Sequence, residues 1–297
     1  GCILGPGARF QGLASRLADA PQGGCGATRS MMRRMRLADE LIALLESRLG
    51  TRPAPRVRAV HLPPSPWTGS KDGEFGAVEL DSGALGLSYV LLDDTLAALA
   101  GVEGQALVGS DALALARRWR DGQGAERTLG FAAVNALSRQ VLDLAGRVPP
   151  DAPDSIGGLD PQPGDHLGMV GFFPPLVKQV TACGARLTVL ELRADLAGQH
   201  PGFEVTLDPA ALQRCNKVLM TSTVLLNDTL DAVLAQCSGA ERVAMIGPGA
   251  GCLPEPLFDR GVGTVGGIWI TDGAGFVQAL RLGDAWGRFA RKVAWQR

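Results

Sequence analysis

The second half of the chain alternates short apolar runs with stretches of helical spacing, and this alternation restricts the possible folds more than any other feature. The apolar runs span residues 167–173, 186–192, 217–222, 242–246 and 262–270. Helical stretches at 174–183, 227–236 and 276–282 separate or follow them. Buried strands that alternate with helices form a parallel sheet covered on both faces. We therefore predict an α/β fold whose second half is a Rossmann-like, doubly wound domain.

The first half has a different order of elements, with strands placed before most of the helices. Leucine and methionine at helical spacing predict a helix over 31–49. Strand-like runs follow at 57–62, 75–80 and 85–92, and Asp81-Ser82-Gly83 predicts a hairpin between the last two. Helices are predicted over 93–100, 111–120 and 128–144. This order is typical of an α+β domain.

The domain boundary is predicted where hydrophobic periodicity stops. Residues 149–165 carry five prolines and three glycines and show no hydrophobic period. We expect an α+β domain over 31–150, a linker over 151–165 and the Rossmann-like domain over 166–297. Residues 1–30 contain seven glycines and little periodicity, so we expect them to form a flexible N-terminal extension.

Charge and cysteine usage restrict the class of partner and the compartment. The chain has 29 Lys and Arg against 30 Asp and Glu, a net charge of −1, which argues against general nucleic-acid or membrane-surface binding. The six cysteines form no C-x-x-C pair, and no secretory signal precedes Thr28. We expect a cytoplasmic protein with reduced thiols, and a homo-oligomer remains open.

In a doubly wound sheet, ligands bind beyond the carboxyl ends of the strands, so the residues there are the first candidates. Gly168, Gly171, Phe172 and Pro174 follow or end the first strand of the second half. Glycine permits close backbone approach, and the helix that begins at the proline could hold an anion at its N-terminus. The alternative is a structural turn, because the spacing differs from the dinucleotide pattern G-x-G-x-x-G.

Polar residues follow the next two strands. Glu191 ends the second strand, where an acid often accepts hydrogen bonds from ribose, so it could serve NAD, S-adenosylmethionine or a related nucleoside. A solvated carboxylate is the alternative. Thr221, Thr223 and Asn227 would offer two hydroxyls and an amide to a ligand, whereas helix capping explains at least one residue of that cluster equally well.

The last two strands are followed by turn-forming residues. Gly247 and Pro248 begin a loop whose backbone amides could form an anion nest. Cys252 lies in the same loop as a candidate ligand for a transition-metal ion or a reactive thiol, with a structural role as the alternative. Asp272 precedes Gly273, and a simple Asp-Gly turn is the alternative to ligand contact.

Several of these stretches together resemble a family to which heavy-metal chelation has been ascribed. In the second half the likeness is carried by residues 168–175, 221–229, 246–248, 253–254 and 266–267 before Asp272. The first half resembles the family's N-terminal partner domain through Trp67, Val78-Glu79, Gly86-Leu87-Ser88 and residues 130–136. The resemblance covers residues 35–290.

The resemblance implies a domain like the N-terminal domain of enolase joined to the Rossmann-like domain, with a ligand site in the cleft between them. Asn135 is then a candidate to face the cleft, with capping or packing in its own helix as the alternative. Gly249 and Gly251 stand where the family has a serine and a proline. A ligand contact from that serine is therefore not expected here.

Two main hypotheses of function follow. The first is a protein that binds a small anionic molecule or a metal chelate between the domains, with the metal held through the ligand or a few oxygen and sulfur donors. The second is an enzyme of chelator or cofactor biosynthesis, a transferase or an oxidoreductase, with a nucleoside cofactor at Glu191. A regulatory, partner-binding protein is the third class.

Overall fold

The computed structural model describes residues 35–101 and 104–297. Its helices, numbered in chain order, are α1 (Leu37–Leu49), α2 (Thr95–Ala100), α3 (Ala112–Asp121), α4 (Gly124–Leu144), α5 (Pro174–Ala182), α6 (Thr223–Leu226), α7 (Leu230–Ala235), α8 (Glu255–Asp259) and α9 (Gly273–Leu282). Its strands are β1 (Val57–His61), β2 (Phe75–Leu80), β3 (Leu85–Tyr89), β4 (His166–Val170), β5 (Arg186–Leu190), β6 (Gly198–His200), β7 (Phe203–Thr206), β8 (Lys217–Thr221), β9 (Arg242–Ile246), β10 (Thr264–Ile270) and β11 (Ala290–Gln296). The predicted extension over 1–30 lies outside the described residues.

The second half forms an eight-stranded sheet in the order β11-β10-β9-β8-β4-β5-β7-β6. The six inner strands run parallel, and the edge strands β6 and β11 pair antiparallel with their neighbours. The inner order is that of a doubly wound Rossmann sheet, in which the chain changes direction of growth between β4 and β8. The predicted α/β class is therefore confirmed, and such a change of direction is where ligands bind in these folds.

Three strands of this sheet were not predicted. β6 and β7 are short and mostly half-exposed, and a turn containing Gly202 (φ +86°) separates them. β11 carries two adjacent basic residues, Arg291 and Lys292, and has only two buried positions, Val293 and Ala294. Such strands lack the continuous apolar run that identifies a strand covered on both faces.

Several predicted helices differ from the observed ones at their ends, and two of the differences have a clear backbone cause. Arg36 is extended (φ −60°, ψ 142°), so α1 begins at Leu37, and residues 31–34 of the helix predicted over 31–49 lie outside the described residues. The helix predicted over 227–236 begins only at Leu230, as α7, because Asp228 takes a positive φ of 61°; the separate short helix α6 ends just before it, at Leu226. An α-helix requires negative φ at every residue, so a helix cannot continue through Asp228.

The first half forms the three-stranded antiparallel sheet β1-β2-β3, and the predicted hairpin over Asp81-Ser82-Gly83 is confirmed. Gly83 takes a φ of +85° in the turn, which glycine adopts without strain. Helix α4 lies directly on β3, since a Cβ at Gly86 would be 2.0 Å from the backbone nitrogen of Ala136. Only glycine allows this contact, which fixes α4 against the small sheet.

The two halves share one continuous core of buried apolar residues. Trp119 of α3 is buried and donates from Nε1 to the carbonyl oxygen of Leu225 in the second half (3.1 Å). Ile156 and Leu159, in the predicted linker, are each 2% exposed. The division into domains stays a prediction.

Within the ranges 35–101 and 104–297, no helix combines the length and the apolar character needed to cross a membrane.

Candidate functional site

The carboxyl ends of β4, β8 and β9 lie side by side at one edge of the large sheet. Val170 is paired with Met220, and Thr221 with Ile246. The sequence-predicted residues at these ends are Gly171, Thr221 and Gly247. Helices α3 and α4 of the first half approach the same edge, as shown by the hydrogen bond from Arg127 Nε to the carbonyl oxygen of Leu226 (2.5 Å).

Glu191 connects the ends of β4 and β5. Its side chain is almost fully buried, and its Oε1 and Oε2 accept hydrogen bonds from the backbone N–H groups of Phe172 (3.0 Å) and Leu192 (2.8 Å). The Phe172 ring stacks on Phe203, and Pro174 begins α5. Both oxygens thus hold the backbone of the two strand ends, and the ribose-binding role of Glu191 stays a prediction.

The end of β8 carries a small cluster of hydroxyl groups. Thr221 Oγ1 lies 3.1 Å from Thr223 Oγ1 and accepts a hydrogen bond from the Thr223 backbone nitrogen (3.3 Å). Gly247, at φ +145°, approaches so closely that a Cβ there would lie 2.4 Å from Ser222 Oγ. Asn227 is the C-cap residue that follows α6, and its side chain forms a hydrogen bond of 2.7 Å with the Thr229 side chain. These contacts give the cluster a structural role, and its ligand contacts stay a prediction.

Two predicted residues lie apart from these strand ends. Gly168 is in the middle of β4, where a Cβ would be 2.8 Å from Leu212 Cδ2, so its small size serves packing. Asp272 precedes α9 and caps it by accepting a hydrogen bond from the Gly275 backbone nitrogen (3.0 Å). Both positions have a structural explanation that does not involve a ligand.

A cavity of about 40 Å³ lies where α4 and β3 of the first half meet β10 and the loop after β9. Asn135, Pro248 and Cys252, three of the residues predicted from the sequence, line it together. The structure therefore brings them together between the two halves of the chain, as the resemblance implied for Asn135.

Asn135 is held by two hydrogen bonds from its amide nitrogen. Nδ2 donates to the carbonyl oxygens of Leu87 in β3 (2.7 Å) and Gly249 in the loop after β9 (3.0 Å). The side chain is 2% exposed, and its Oδ1 is buried without a hydrogen-bond partner. Buried polar atoms are nearly always bonded, so such an acceptor is a feature that requires an explanation.

Arg139, which sequence analysis missed, follows Asn135 by one helical turn on α4 and also lines the cavity. Its guanidinium carbon lies 3.7 Å from the centroid of the Trp269 ring. Nε bonds the Asp143 carboxylate (2.9 and 3.0 Å) and Nη1 donates to the Ile270 carbonyl oxygen (3.0 Å). Nη2 makes no hydrogen bond to any residue that the structure describes. The i,i+4 spacing from Asn135 was the available signal, since such residues share a helix face.

The donor set does not fit a bare heavy-metal ion held by the protein alone. Cys252 is 1% exposed, and burial raises the pKa of its thiol to about 12, whereas metals bind the thiolate. No group of three or more His, Cys, Asp and Glu side chains in the described part of the chain is placed to hold a metal ion. Cys252 as one ligand of a metal that arrives with its own chelator stays a prediction.

The fold and the cavity together define a Rossmann-like α/β protein with a small pocket between its two halves. Residues 155–297 and 74–138 match the two parts of a family described as "putative heavy-metal chelation". These matches cover more than half of the chain, and the protein belongs to this family.

One curated relative is an uncharacterized protein of Methanocaldococcus jannaschii, 30% identical over 151 residues. The match covers 50% of this chain and 56% of that protein, so the chain spans little more than half the length of the curated relative it matches.

Two solved structures share the fold. A family member of unknown function from Pyrococcus horikoshii is 18% identical, with a TM-score of 0.63 over 88% of this chain and 99% of that chain. Another, from Desulfitobacterium hafniense, is 19% identical, with a TM-score of 0.62 over 87% of this chain and 99% of that chain. At this identity the likeness concerns the fold alone.

Proposed function

We propose that the protein binds a small, anionic, metal-chelating molecule in the pocket lined by Asn135 and Arg139. The observation that carries this proposal is the Arg139 guanidinium, which lies on the Trp269 ring with Nη2 unbonded to any described residue. A planar cation on an aromatic face, in a partly buried site, is suited to a carboxylate. Its nearest acid, Asp143, is 46% exposed, so water screens much of that pairing.

The metal would enter with its chelator. The pocket supplies one buried thiol and one amide oxygen, fewer donors than a structural or catalytic metal site contains. Chelators of heavy metals commonly carry carboxylates, and Arg139 offers them a complementary charge. Family membership agrees with this class of ligand.

Calorimetry on the full-length, untagged protein tests the proposal with two probes, nickel(II) citrate and nickel(II) alone. We expect the citrate complex to bind with one-to-one stoichiometry. The Arg139→Gln substitution should weaken its binding by about tenfold or more, since a charge-assisted hydrogen bond is lost.

Arg288→Gln is the matched control, because Arg288 also stacks on an aromatic ring, Phe289 at 4.6 Å, but does not line the pocket. Its affinity for nickel(II) citrate should equal that of the unchanged protein. Equal affinities for the Arg139 and Arg288 variants would refute the proposal. The proposal would also be refuted if nickel(II) alone bound as tightly as nickel(II) citrate and if its binding depended on Arg139 to the same extent.

A further inference from the structure

The orientation of the Asn135 amide is fixed by its surroundings. Nδ2 faces two carbonyl oxygens, from Leu87 and Gly249, which can only accept hydrogen bonds. Rotating the amide by half a turn would place Oδ1 against both carbonyls, so the observed orientation is the one that the contacts allow. Oδ1 is therefore a buried acceptor to which no described residue donates, and it has almost no solvent-accessible surface, so an external donor reaches it only if the pocket lining shifts.

The pocket has room for one terminal group of a ligand and not for a large molecule. A cavity of about 40 Å³ holds up to about three water-sized groups, which suits a carboxylate and one substituent on the neighbouring carbon. Asn135 and Arg139 are four residues apart on α4, so their side chains lie on one face of the helix. One residue with an unpaired acceptor and one cationic residue thus line the same pocket.

We propose that the pocket selects α-hydroxycarboxylates, with the carboxylate at Arg139 Nη2 and the hydroxyl donating to Asn135 Oδ1. This inference rests on the proposed function and adds the chemical group that the pocket recognises. A neutral hydroxyl fits better than an α-ammonium group, because the latter would bring a second positive charge beside Arg139. Discrimination is strong when a site built for a hydroxyl receives an analogue without one, since a buried polar atom is then left unpaired.

Citrate and tricarballylate test the inference, because the two tricarboxylates differ only by the hydroxyl on the central carbon. Calorimetry on the full-length protein, without metal, should show citrate binding about thirtyfold tighter than tricarballylate. Arg139→Gln should weaken both by a similar factor and preserve their ratio, because its contact is with the carboxylate. D- and L-alanine serve as α-ammonium probes and should bind more weakly than D- and L-lactate.

Equal affinities for citrate and tricarballylate, both reduced in the Arg139 variant, would overturn the hydroxyl contact and leave the proposed anion site intact. If neither citrate nor tricarballylate binds, the inference is also overturned. The nickel(II) citrate measurement would then decide the proposed function separately. Alanine binding tighter than lactate would reject the preference for a neutral donor.

Discussion

Replacing Asn135 by alanine should measurably loosen the junction between the two halves. The substitution removes two hydrogen bonds, of 2.7 and 3.0 Å, that join α4 to β3 and to the loop after β9. Each of the two carbonyl groups left without a donor destabilises the folded state by about 1–3 kcal/mol. The substitution also removes the unpaired Oδ1, which stabilises the folded state by about the same amount as one such group. We therefore expect the free energy of unfolding to fall by about 1–3 kcal/mol.

Urea unfolding followed by circular dichroism measures this change. The control is Ser82→Ala, which removes an exposed hydrogen bond of 3.0 Å to Gln140 of α4 and a long one of 3.4 Å from the Ala84 backbone nitrogen, and should change stability by less than about 0.5 kcal/mol. If the Asn135 variant were as stable as the unchanged protein, the amide would not be joining the three segments, and the argument for its fixed orientation would fail.

Three other perturbations have definite expected outcomes. Gly86→Ala should cost about 3 kcal/mol in urea unfolding because its methyl would meet the backbone of α4, whereas Gly287→Ala, with no atom within 4 Å, should be neutral. Iodoacetamide should leave Cys252 unmodified in the native protein and alkylate the more accessible Cys183, as read by peptide mass mapping. Burial lowers the pKa of His61, so the folded state favours the neutral ring. Stability should therefore be lost as the pH falls below about 6.5, and His61→Gln should reduce that slope.

The predictable part of the fold is the part whose strands are buried on both faces. Their continuous apolar runs and the helices between them predicted the parallel strands β4, β5, β8, β9 and β10. The inner strand β7 and the edge strands β6 and β11 carry exposed or half-exposed positions, such as Lys292 in β11, so tertiary pairing and not local pattern defines them. The break at Asp228 was equally invisible, because a positive φ at a non-glycine residue is set by its surroundings.

Part of the pocket could also be predicted from the sequence. Pro248 and Cys252 follow a buried strand of a doubly wound sheet, which is where ligands are expected. Arg139 and Trp269 were missed because they are 130 residues apart, and a lone arginine on a helix usually indicates a solvated face. Their contact exists only once α4 lies against the end of β10.

A crystal structure of the full chain with citrate tests the central claim most directly. We predict one citrate with a carboxylate oxygen about 3 Å from Arg139 Nη2 and its hydroxyl about 3 Å from Asn135 Oδ1. Water alone in the cavity, with citrate absent or bound instead beside Thr221 and Thr223, would contradict it.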